Sequence, residues 1–166
     1  MNIKFRKRLL NPKSTEVQEI LSERLNKLCR FLNAEYNVNS GGCCYIAYCL
    51  AKFLSDDKFK FTLLVYSEDK LDKGNFKDLN YSCFHYALSL GNFYINSDGC
   101  DADDDLYETR YSKVKASDLL KHYKNGNWNC CYNKEKNDFL FKIIKTFYAD
   151  LTEDLREKRR TSNSSR

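Results

Sequence analysis

The sequence predicts an α+β fold, an antiparallel sheet of three or more strands packed with helices, on three observations. Helix-spaced apolar residues fill much of the first third of the chain, alternating segments occupy the middle, and a long amphipathic stretch closes it. Two of the alternating segments are separated by Gly91-Asn92, a two-residue hairpin signal that makes the flanking strands antiparallel.

Each element has its own reason. Thr15 with Gln18 fits a capping box, and Val17, Ile20, Leu21, Leu25, Leu28, Phe31 and Leu32 follow at helical spacing. A polar loop over 33–42 leads to a second helix from about Cys43 to Leu54, with Ser40-Gly41-Gly42 supplying the turn. From Lys58 onward, Phe59, Phe61, Leu63 and Val65 alternate with Lys60, Thr62, Leu64 and Tyr66, which is a strand. The polar stretch 67–80 reads as a long loop, and the hairpin strands as 81–90 and 93–98. Ser117 caps a short helix within 114–123, closed by the turn Asn125-Gly126-Asn127. The last helix begins near Asn137 and aligns Leu140, Ile143, Ile144, Phe147, Tyr148, Leu151 and Leu155 on one face. Residues 1–158 thus form a single domain, and 159–166 are expected to be a flexible C-terminal tail.

Composition narrows the function classes. The net charge of +5 comes largely from the basic runs 4–8 and 156–160, read as solvated ends, with an acidic block at 101–105 between them. No basic groove with interleaved aromatics is evident, so no specific nucleic-acid partner is expected. No apolar run reaches spanning length and none resembles a signal peptide, so no membrane partner is expected and the location is cytoplasmic. The eight cysteines include no C-x-x-C pair, and their thiols are expected to be reduced. A zinc site on Cys83, His85 and Cys100 matches no established finger spacing, and the acidic block has Leu106 where a calcium loop needs glycine. No metal and no cofactor are expected.

The residues with chemical potential lie between 39 and 99. A two-residue loop at Gly91-Asn92 sets Leu90 against Phe93 and, by the same register, His85 against Asp98. Directly opposed residues share a face with Cβ atoms roughly 4.5–5.5 Å apart, so the carboxylate could orient the imidazole. The face carrying His85 also has the small residues Cys83, Ala87 and Ser89, leaving room for a helix end, while the bulky face of Phe84, Tyr86, Leu88 and Leu90 is expected to cover a separate helix layer. Cys43 stands first on the helical stripe of Ile46, Ala47, Leu50, Phe53 and Leu54, where the positive helix end favours a thiolate. Cys44 is rotated by about 100° from it and is the second candidate thiol. Asn39, Ser40 and Asn96 are accessory candidates, the first two as oxyanion donors; Trp128 would shield the site or anchor a loop.

In this order, a cysteine at a helix start after glycines, a histidine on a strand and an aspartate on the next strand, the chain resembles the papain-like and transglutaminase-like cysteine enzymes. Gly42-Cys43 with Ile46-Ala47 resembles the transglutaminase-like G-x-C-x-x-F-A pattern. The segment Asn96-Ser97-Asp98-Gly99 is similar to the D-x-D-G that ends the histidine strand in small phage proteins carrying G-G-C. The resemblance implies a papain-like fold and a cysteine hydrolase or acyltransferase with Cys43 as nucleophile, His85 as acid-base and Asp98 as orienter. The substrate would be a peptide, protein or small-molecule amide or ester, attacked through a thioester. The competing expectation is a catalytically inactive binding or inhibitor protein on the same fold, acting on a host factor by contact.

Overall fold

The computed structural model describes residues 10–39, 42–67, 83–97, 111–115, 117–118 and 134–164. Within them the chain is α+β, with three helices and a four-stranded antiparallel sheet.

Helix α1, Thr15–Tyr36, starts one residue earlier than a box on Thr15 requires. Ser14 is the cap and accepts from the Val17 N–H at 3.5 Å, while Gln18 Nε2 donates to the Pro12 carbonyl at 2.8 Å. Gln18 therefore ties down the turn before the helix instead of reaching back to Thr15. Val17, Leu21, Leu25, Leu28, Cys29 and Leu32 are buried along one stripe. The helix ends at Asn37, whose left-handed backbone (φ 50°) lets its N–H close onto the Asn33 carbonyl.

Helix α2, Cys43–Asp56, begins where its stripe predicts and is buried on nearly every side. It lies against the sheet on one side and against α3, Lys134–Ser164, on the other. Its C-terminal end is fastened by charge. Asp57 accepts from Tyr148 Oη at 3.0 Å and faces Arg156 Nη2 at 3.5 Å, with both charged side chains about nine-tenths buried. Arg156, expected among solvated terminal charges, is therefore a core residue of the α2–α3 contact. α3 itself begins near its expected start, buries Leu140, Ile144, Tyr148, Leu151 and Leu155, and stays helical through Ser164, six residues into the stretch expected to be a tail.

The strands are β1, Thr62–Ser67; β2, Cys83–Leu90; β3, Phe93–Asn96; and β4, Tyr111–Val114, in the order β3-β2-β1-β4. The hairpin has the expected register, Leu90 opposite Phe93 and Ala87 opposite Asn96. Gly91 takes φ +63° at the first turn position, and a Cβ there would also run into Gln18 Oε1 of α1. β4 was not expected: Tyr111–Val114 pairs antiparallel with β1, so the helix assigned to 114–123 cannot start at Val114. Ser117 and Asp118 are helical, and the rest of that segment lies outside the described residues.

The two faces of the sheet are filled differently. Leu63, Val65, Tyr86, Leu88, Leu90, Ile95 and Val114 join the three helices in the main core. Leu64 and Ala87, which point the other way, form a separate small cluster with Tyr94 and Tyr111 packed on it. No helix among the described residues is long and apolar enough to cross a membrane.

Candidate functional site

One end of the sheet gathers the residues singled out by sequence. β1 and β3 finish there, while β2 and β4 begin there, as their antiparallel pairing requires. The start of α2 is tied to the same end. Asn39 accepts at Oδ1 from Ser97 Oγ at 2.6 Å, just past β3, and its own N–H donates to Asn33 Oδ1 of α1 at 3.1 Å. The Gly42 N–H closes onto the Val38 carbonyl at 2.6 Å, with φ −93°, a backbone open to any residue. The N-cap residue Gly42 has no side chain with which to cap α2.

Cys43 stands at that helix start as expected, but it is 7% exposed. It lines a crevice with Ile46 and Leu50 from α2, and with Tyr86, Ala87, Leu88 and Asn96 from the sheet. The crevice leaves no room for a water molecule. Cys44 is similarly buried at 8%, and Cys49 is fully buried. Burial pushes the Cys49 thiol up to about 12, against a smaller opposing effect of the hydrogen bond from Tyr45. Burial also pushes the Tyr45 phenol well above its ordinary range, with Cys49 adding to the rise. Cys49 is thus an inert core thiol.

His85 lies at the same end of the sheet but on the other side of it. β2 alternates, and Tyr86 and Leu88 face the helices, so His85 and Ala87 face away. His85 is paired across β1 with Tyr66, which stands beside Tyr111 with ring centroids 5.7 Å apart. The bulky face takes a helix layer as expected, because burying Tyr86, Leu88, Leu90 and Ile95 removes much apolar area from water, at about 25 cal/mol per Å². α2, whose start was expected to approach the His85 face, packs in that same layer. By alternation, His85 lies on the opposite face of β2 from Tyr86 and Leu88, while Asn96, which is bonded to His85, also lines the Cys43 crevice.

The residue that touches His85 is Asn96. His85 Nε2 lies 2.5 Å from Asn96 Oδ1, an acceptor, so Nε2 carries the proton and donates it. Asn96 is 4% exposed and is itself fixed by α1. Its backbone N–H donates to Asn26 Oδ1 at 3.0 Å, while Asn26 Nδ2 donates to the Tyr94 carbonyl at 2.7 Å. One buried amide thus fills the outward donor and acceptor of edge strand β3 as a neighbouring strand would. Asn26 was missed by sequence, although a polar residue beside Leu25, Leu28 and Cys29 on a buried stripe was a readable signal.

Asp98, Ser40 and Trp128 lie outside the described residues, as do Cys100 and the acidic block. Among the described residues no group of three metal-ligating side chains comes together. Comparison of the chain with protein-family models, with curated proteins and with solved structures finds no match.

Proposed function

We propose that this chain acts by binding a protein partner and not by turnover, on an α+β scaffold whose working region is the sheet end that carries His85. The observation that supports this reading is the burial of Cys43 in a crevice too narrow for water, while His85 alternates to the face of β2 opposite Tyr86 and Leu88. A nucleophile needs access for a carbonyl, and a crevice with no room for water does not supply it. The half-buried tyrosines 66 and 111 beside His85, with Tyr94 further along the same face, suit contact with a partner, since tyrosine gives large rigid area at low entropic cost. The cytoplasm is the compartment that fits its reduced thiols.

A second reading, a papain-like cysteine hydrolase or acyltransferase, is favoured by one specific contact. The His85 Nε2–H given to Asn96 leaves Nδ1 as the basic nitrogen, and an amide orienting a histidine is a known catalytic arrangement. On that reading the Cys43 thiolate would attack an amide or ester carbonyl, the His85 imidazolium would protonate the leaving group, and water or an amine would resolve the thioester.

Limited alkylation near neutral pH, mapped by mass spectrometry, separates the two. The binding reading expects slow labelling of Cys43, unchanged in His85→Ala. Preferential labelling of Cys43 that falls in both His85→Ala and Asn96→Ala would overturn it in favour of the enzyme.

A further inference from the structure

Away from the sheet, the C-terminal end of α1 and the N-terminal end of α3 meet in an aromatic cluster that water reaches. Phe31 is 50% exposed, Tyr36 41% and Phe139 46%. Their rings stand edge to face, Phe31 on Tyr36 at 6.3 Å and Tyr36 on Phe139 at 5.2 Å between centroids. Three large exposed rings in mutual contact form a patch, whereas a single exposed aromatic would be ordinary.

The charges around Phe139 indicate what the patch fits. Glu135, Asp138, Phe139 and Lys142 occupy one exposed stripe of α3, at the i, i+3, i+4, i+7 spacing. Asp138 is already paired with Lys134 within the helix, at 2.9 Å. The stripe therefore reads acidic at Glu135, aromatic at Phe139 and basic at Lys142, with the end charges about 10 Å apart along the axis. Such a stripe complements itself when turned around. If two copies of α3 lie antiparallel with Phe139 near the axis, Glu135 of each faces Lys142 of the other while the rings pack at the centre.

We propose that this patch is a homodimer interface, isologous about a two-fold axis beside Phe139, with the occupant a second copy of this chain. A symmetric contact repeats each favourable pair twice, so both charge pairs and both aromatic clusters contribute together. This interface lies on α1 and α3 and does not depend on whether Cys43 is reactive.

Sedimentation equilibrium of the full chain over micromolar to millimolar concentration tests it, with circular dichroism confirming that each variant remains helical. The wild type should dimerise, and Phe139→Ser should be monomeric over the same range. Glu135→Lys alone and Lys142→Glu alone each set like charges opposite one another and should weaken the dimer by about tenfold or more. The double variant Glu135→Lys/Lys142→Glu restores complementarity and should recover most of the lost affinity. A wild type that stays monomeric at millimolar concentration overturns the proposal. So does a dimer insensitive to Phe139→Ser, or a double variant no tighter than the single ones.

Discussion

The two faces of the sheet are made from the same strands and differ in almost everything else. The helix-covered face carries Leu63, Val65, Leu88, Leu90 and Ile95, all nearly inaccessible, and the Cys43 thiol is sealed against it. The other face has a two-residue apolar centre, Leu64 and Ala87, ringed by Tyr66, Tyr94, Tyr111 and His85, whose side chains keep polar tips. Period-two alternation divided the residues; buried area then decided which set the helices took. Stability is thus concentrated on one side and polar chemistry on the other, and a thiol and an imidazole at one sheet end do not by that fact form a pair.

Substitutions that truncate each face should separate them most clearly. Leu88→Ala leaves a cavity in the main core and should cost about 3 kcal/mol, measured by urea unfolding. Tyr94→Ala on the opposite face should cost about half as much, because the ring is only partly buried. Equal losses would mean that the polar face is a second core.

Asn26→Ala acts across the boundary between the faces. It leaves the Tyr94 carbonyl and the Asn96 N–H without their partner from α1, and should cost about 2 kcal/mol. It should also loosen Asn96, so nitrogen NMR of His85 should show one dominant tautomer in the wild type and a mixture in Asn26→Ala. A destabilised variant with an unchanged His85 signal would show that α1 holds the edge of the sheet but not the histidine.

The smallest effect at neutral pH belongs to Cys49, yet its pH signature is distinctive. Burial raises its thiol from the ordinary 9.0 to about 12, so the folded chain holds this proton more tightly than the unfolded chain. The resulting stability is fully present below pH 9 and is lost as pH rises from there towards 12. Cys49→Ala should cost about 1 kcal/mol at pH 7 and flatten part of that decline, as followed by unfolding at a series of alkaline pH values.

Much of the scaffold could be read from residue spacing. The three helices follow their apolar stripes, most of whose residues are buried although Phe31 is exposed, and the Gly91-Asn92 turn sets the hairpin register from Leu90 and Phe93 as far as Ala87 and Asn96. β4 escaped because four residues, Tyr111–Val114, are too few for alternation to stand out beside a capping serine. Arg156 escaped because its partner Asp57 lies far away in sequence, and a basic run gives no hint that one member is buried. The site was harder still: position on a strand was legible for His85, and position at a helix start for Cys43. Which face the helices would cover depended on the summed area of residues from four strands. Asn26 and Asn96 act through contacts that no local pattern encodes.

The central claim is that Cys43 packs on the Tyr86 side of the sheet and not on the His85 side. Cysteine cross-linking measures this directly, by comparing Tyr86→Cys with His85→Cys under mild oxidation and mapping the bridged peptides by mass spectrometry. The account predicts a bridge from Cys43 to position 86 and none to position 85. A bridge from Cys43 to position 85 would contradict it.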